Sequence, residues 1–181
     1  SINLALSERG VRALQRVGLD DDILGDGIPM YGRMMHGIDG KLSYQPYGKE
    51  GQAIYSVSRG RLNIRLLELA DEHPNITLYF NHKCIDVDTD AGIAVFEDEN
   101  GNTIQSKADR ILGTDGAYAA TRKRMQTSDR FDYSQTYLKH GYKELEIPAG
   151  ENGAFMMEKN ALHIWPRGNY MMIALPNPAG D

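Results

Sequence analysis

A chain of 181 residues with 41% hydrophobic and 25% charged residues has the make-up of an ordinary globular domain, large enough to need no disulfide or metal staple. Lys and Arg number 20 against 25 Asp and Glu, and the net charge of −5 argues against a nucleic acid or an anionic membrane as partner. A single cysteine, Cys84, excludes an internal disulfide and a thiolate metal cluster, and no apolar run approaches the roughly 18 residues of a membrane span.

Ser7 stands where an N-cap would, followed by Val11, Leu14 and Val17 at helical spacing and by Gly18 as a stop. This predicts a helix over 8–17, with one more turn over 20–24. Residues 30–57 read as extended. Met30 to Ile38 and Lys41 to Tyr44 flank Asp39-Gly40, a strong hairpin signal, and Ala53 to Val57 is a further strand. Ser58 then caps a helix whose stripe is Leu62, Leu66, Leu69 and Ala70, ended by Pro74. Ile76 to Phe80, Lys83 to Val87 and Gly92 to Glu97 read as strands, and Asn100-Gly101 turns into Thr103-Ile104-Gln105. Ala108 to Leu112 reads as a compact apolar strand running into Gly113-Thr114-Asp115-Gly116, with a helix over 117–125. Tyr133 to Glu146, Ala154 to Met157, Ala161 to Trp165 and Tyr170 to Leu175 read as antiparallel strands. The fold class is therefore α/β in the broad sense, an α+β segment with a mostly antiparallel sheet and two or three helices.

The chemistry-bearing residues are few. His36, His73, His82, His140 and His163 are scattered, and no two share the i,i+4 spacing of a helical metal site, so no metal is expected. Cys84 lies inside a strand and reads as a small core residue rather than a nucleophile. Arg122-Lys123-Arg124 reads as a solvated helix end. Asp115-Gly116, at a strand's end before a helix, either meets a ligand's polar groups or simply caps the turn. Arg59 sits in the first turn of a helix, against the macrodipole, and is either part of an anion site or a surface residue. Arg33 on a strand and Tyr47 after Pro46 would make a good carboxylate clamp if they met, and otherwise are a rim Arg and a loop Tyr.

The runs Ser1–Ser7, Ser56-Val57-Ser58-Arg59, Asp115-Gly116-Ala117-Tyr118, Arg130-Phe131-Asp132-Tyr133-Ser134, Leu162-His163-Ile164-Trp165-Pro166-Arg167 and Met171-Met172-Ile173-Ala174-Leu175-Pro176-Asn177 resemble, in order, the kynurenine 3-monooxygenase family. The Asp-Gly run alone would suggest only the wider class of FAD-dependent aromatic hydroxylases. The resemblance implies an FAD/NAD(P)-binding fold of the p-hydroxybenzoate hydroxylase kind. It also implies that the chain is a central segment, inactive on its own, with a Rossmann strand before it and further flavin contacts after it. Residues 1–29 and 58–127 would belong to the FAD-binding part, and 30–57 and 128–181 to the substrate-binding part.

By the same resemblance Arg33 and Tyr47 would hold the amino-acid carboxylate of L-kynurenine, and Ile54 would wall its ring. Ala5, Arg59, Cys84 (through its backbone), Asp115, Gly116 and Ala120 would contact the cofactors, FAD and NADPH. Ala119-Ala120 replaces the Ser-Thr pair often seen in the family. NADPH would reduce FAD, and molecular oxygen would be delivered to the ring carbon beside the amino group. Two other readings stay open, a hydroxylase of another aromatic carboxylate and a non-catalytic binding module that keeps the fold. Uncovered apolar faces leave a homodimer open. The resemblance implies a cytoplasmic protein in a bacterium and an outer mitochondrial membrane protein in a eukaryote, with no membrane contact from this segment.

Overall fold

The computed structural model describes residues 3–181; Ser1 and Ile2, which open the Ser1–Ser7 run, lie outside the described residues. The chain divides into two compact units, Ser1–Pro74 with Tyr142–Asp181, and Asn75–Gly141.

The first unit holds two sheets. Strand β1 (Asn3–Leu6) leads into α1 (Glu8–Gln15) and α2 (Asp20–Gly25). Ser7 is the N-cap of α1, but its hydroxyl makes no capping bond. Its carbonyl instead accepts from Val11 N–H. Strands β2 (Ile28–Met30) and β5 (Ile54–Ser58) join β1 in a three-stranded antiparallel sheet ordered β1-β5-β2. Met30, Val57 and Ile28 supply its buried apolar side chains. Ser58 caps α3 (Arg59–Asp71) as expected, its Oγ accepting from Arg61 N–H. The predicted stripe of α3 is only half-buried. Arg65 grips Asp22 with two bonds of 2.6 and 2.9 Å, tying α3 to α2 and holding the Asp22 carboxyl below its usual range.

The second sheet is built from β3 (Gly32–His36), β4 (Leu42–Pro46), β9 (Ala161–Arg167) and β10 (Tyr170–Ala174), in the order β10-β9-β3-β4. The Asp39-Gly40 turn joins β3 to β4 as predicted, and β9 to β10 is a second hairpin. The parallel pairing of β3 with β9 brings residues 32–35 beside 161–164. Asn160 Nδ2 donates to Pro29 O and Tyr31 N–H to Asn160 O, so the chain crossing from β2 to β3 is pinned to the start of β9.

The second unit is a three-stranded antiparallel meander of β6 (Lys83–Asp88), β7 (Ile93–Glu97) and β8 (Thr103–Lys107), with α4 (Ala120–Met125) packed on β6. Its buried apolar residues are Val87, Ala94 and Ala119.

Four predicted strands are absent. Ile76–Phe80, Ala108–Leu112, Tyr133–Glu146 and Ala154–Met157 contain no strand. An apolar run becomes a strand only where another strand takes up its N–H and C=O groups. For Ala108–Leu112 that pairing stops after the bond from Ala108 N–H to Gly92 O, and Leu112 is 86% exposed. The helix predicted over 117–125 begins three residues later, at Ala120.

Candidate functional site

In the four-stranded sheet, directly paired residues share a face. Arg33 is paired with Gln45 on β4 and Leu162 on β9. Continuing the register, Met35, Ser43, Ile164, Pro166, Met171 and Ile173 lie on that same face. One guanidinium therefore stands at the edge of an apolar surface. The Tyr47 ring meets it, with the Arg33 Cζ 5.0 Å from the ring centroid, within cation–π range. Tyr47 is fixed by its backbone, whose N–H donates to Tyr31 O at 3.0 Å. Arg33 is exposed and has no carboxylate in ion-pair range among the described residues, so its donor fork is free for an anion.

The sequence named Arg33 and Tyr47 but not the apolar residues around them. Strand alternation was the available signal; the β3–β9 pairing, which puts Leu162 next to Arg33, was not readable. Ile54 lies in the other sheet, at the start of β5 opposite Met30, half-buried.

Gly32 makes the geometry of this edge. A Cβ there would lie 2.5 Å from Gln45 O and 2.6 Å from the Tyr44 ring, so β4 comes this close only to a glycine. On the opposite face His36 Nε2 lies 2.8 Å from His163 Nδ1, and the His36 ring stacks on Trp165 at 4.1 Å. His163 Nε2 faces Glu158 O at 2.8 Å and must donate there, so His163 Nδ1 accepts from His36. Burial, the His163 ring and Arg167 together keep His36 below its ordinary value of 6.5. A cavity of about 300 Å³ adjoins this face, lined by Leu145, Phe155, Met157, Trp165 and Met172.

The remaining predicted residues are distributed between the units. Ala5, exposed on β1, is paired with Ser56, and Arg59 is the exposed first residue of α3. In the second unit, Asp115, Gly116, Thr121 and Arg122 line a cavity of about 370 Å³ with Val87 and Met125. Both oxygens of Asp115 are engaged, Oδ2 by Thr121 N–H at 3.1 Å and Oδ1 by the Thr121 hydroxyl at 2.6 Å. These bonds hold the Asp115 carboxyl below its usual range. Gly116 turns the chain with φ +83°. Arg122 is not a solvated helix end: its guanidinium donates to Gly116 O at 3.2 Å and to Ala117 O. Thr121, one residue past the Ala119-Ala120 pair, carries a hydroxyl, and that hydroxyl is spent on Asp115. Ala120 opens α4.

Cys84 is half-buried on β6, and its thiol is pushed up first by burial and then by the Asp115 charge, both of which disfavour the thiolate. A bulge between Cys84 and Asp86 leaves the backbone of Ile85 out of the ladder. Among the described residues no cluster of three metal-ligating side chains occurs, and no helix is long and apolar enough to cross a membrane.

No family model matches the chain. Curated relatives do. The chain is 52% identical to the kynurenine 3-monooxygenase of Anopheles gambiae over 98% of its own length and 37% of the relative's. It is 50% identical to the Dictyostelium discoideum enzyme of the same name over 100% and 39%, and 48% identical to that of Sus scrofa over 98% and 37%. Among solved structures, p-nitrophenol 4-monooxygenase from Pseudomonas putida overlaps 57% of this chain and 29% of its own, with a TM-score of 0.48 and 20% identity, too loose an overlap to argue from. The chain thus spans about two fifths of the length of the curated relatives it matches. Over that stretch the chain is similar, at 48–52% identity, to curated kynurenine 3-monooxygenases.

Proposed function

We propose that the protein containing this chain hydroxylates L-kynurenine at the ring carbon beside its amino group, using FAD, NADPH and molecular oxygen. The observation that carries the reading is the free Arg33 guanidinium over the Tyr47 ring at the edge of an apolar sheet face. Kynurenine has the matching shape, a carboxylate at one end and an aromatic ring at the other. Arg33 would bind the carboxylate through its planar fork, with the Tyr47 hydroxyl as second donor. The ring would then lie over the apolar face, with Leu162, Ile164 and Ile173 excluding water from it, and Ile54 would close one side.

The residues present fit a flavin. Arg59 is an exposed cation with no carboxylate in ion-pair range among the described residues, at the N-terminus of a 13-residue helix, a good partner for a pyrophosphate. Ala5 presents only a methyl group to an approaching ligand. The backbone freed beside Cys84 could bond an adenine. Asp115 and Gly116, with Ala120, would shape the loop that meets FAD and NADPH. Asp115 acts there through Thr121 rather than by a free carboxylate. FAD reduced by NADPH supplies the oxygen-activating chemistry when bound, and the protein's own part is binding, orientation and exclusion of water. Residues 1–29 and 58–127 would serve the cofactor and 30–57 and 128–181 the substrate.

The test is substrate binding by the intact flavin-loaded protein. Arg33→Ala should weaken L-kynurenine by roughly 2 kcal/mol, about thirtyfold in Kd, because it removes a charge-assisted pair. Unchanged affinity would contradict the clamp. Turnover of a different aromatic carboxylate in place of kynurenine would favour the wider hydroxylase class.

A further inference from the structure

We propose that Gln45 reads the α-ammonium of the substrate and so makes the site selective for an amino acid over a plain aromatic acid. This deepens the reading above and rests on it.

A zwitterion presents two charges to the clamp. Arg33 and Tyr47 answer the carboxylate, but the ammonium, one carbon away, needs an acceptor in the same place. Arg33 is the charged residue of its sheet face; the others, Met35, Ser43, Gln45, Leu162, Ile164, Pro166, Met171 and Ile173, offer no carboxylate. Gln45 is Arg33's direct cross-strand partner, which sets their Cβ atoms about 5 Å apart on one face. Its carboxamide makes no hydrogen bond among the described residues and is exposed. Ser43, the other polar residue of the face, lies two residues further along β4, roughly 7 Å away.

A glutamine amide suits the task. Its Oε1 accepts from the ammonium while Nε2 can donate to the adjacent carboxylate. A carboxylate in its place would pair with Arg33 and cancel the anion site. Pro46 and the tight Gly32 contact hold β4 close against β3, so the Gln45 backbone stays directly opposite Arg33 and its amide has the guanidinium within reach.

The experiment compares the Kd of L-kynurenine with that of its analogue bearing hydrogen in place of the α-amino group. Both are measured on the intact flavin-loaded protein and on Gln45→Met, which keeps the side-chain volume. The wild type should prefer kynurenine by about tenfold, and Gln45→Met should cut that preference to about twofold, mostly by weakening kynurenine. Flavin content and melting temperature of the variant are read alongside, and Gln45→Leu serves if Met perturbs them. A wild type without preference, or a variant that keeps it, overturns the role of Gln45 and leaves the clamp standing. A wild type that binds neither ligand overturns the kynurenine reading itself.

Discussion

Arg33 gains its reach from having no acid partner. A strand arginine satisfied by a carboxylate would be structural, but here a phenol ring fixes the guanidinium and its donors stay free. The geometry depends on the planar fork, so Arg33→Lys should lose most of the affinity that Arg33→Ala loses, as read by titration of kynurenine; retention of wild-type affinity would reduce Arg33 to a point charge. Asp115 is the opposite case, a carboxylate consumed by its own loop. Two bonds from Thr121 depress its folded value below the ordinary 3.8. Its contribution to stability is therefore complete above that ordinary value and is lost as pH falls through the folded one. Thr121→Val should move the Asp115 titration upward, towards 3.8, in a carboxylate NMR titration. No movement would mean that the hydroxyl does not hold it.

At the scale of elements, β3 carries a functional group on each face, Arg33 on one and His36 on the other. Gly32→Ala would drive a methyl into Gln45 O and Tyr44, so β4 must move away from β3 and take Gln45 and Tyr47 with it. The expected result is a clamp weakened without any change to Arg33 or Tyr47 themselves, seen as a rise in kynurenine Kd; an unaltered Kd would show that β4 can yield. His36 makes β3 sensitive to acid. Its folded value lies below 6.5, so stability should fall as pH drops from about 6.5 through that lower value, the unfolded chain taking up the proton more readily. His163, bonded to it, and Arg167, whose guanidinium holds His36 O at 2.9 Å, are the groups that oppose its charging. His36→Phe, which can keep the stack on Trp165, should flatten that decline in urea midpoints measured across pH; an unchanged slope would assign it elsewhere.

The hairpins about Asp39-Gly40 and Asn100-Gly101 were legible because a turn is written in adjacent residues. Tyr133–Glu146 was not, because its apolar spacing looks like a strand whether or not a partner exists. Gln45 is not legible because the sequence pattern ends the strand at Tyr44, two residues short of Pro46, and the edge position that tolerates Pro46 is a property of the whole sheet.

Across the whole molecule, the two units bury few side chains completely and leave many large apolar ones exposed, among them Leu112, Tyr137 and Leu138 at 85–87%. Such surfaces seek cover. The 181-residue chain by itself should therefore sediment as an associating species whose mass rises with concentration, and a strictly monomeric boundary would show that these residues are tolerated in water. Arg33 on its strand and Tyr47 in the following loop could be named as a candidate pair from their residue types, and only the resemblance gave them the role of a carboxylate clamp. What the sequence leaves unread is the long-range β3–β9 pairing that assembles an apolar face beside Arg33. The most direct test of the central claim is product analysis of the intact protein supplied with FAD, NADPH, L-kynurenine and isotopically labelled oxygen gas. The expected product is 3-hydroxykynurenine carrying one labelled oxygen atom. A flavin-loaded protein that returns kynurenine unchanged would contradict it.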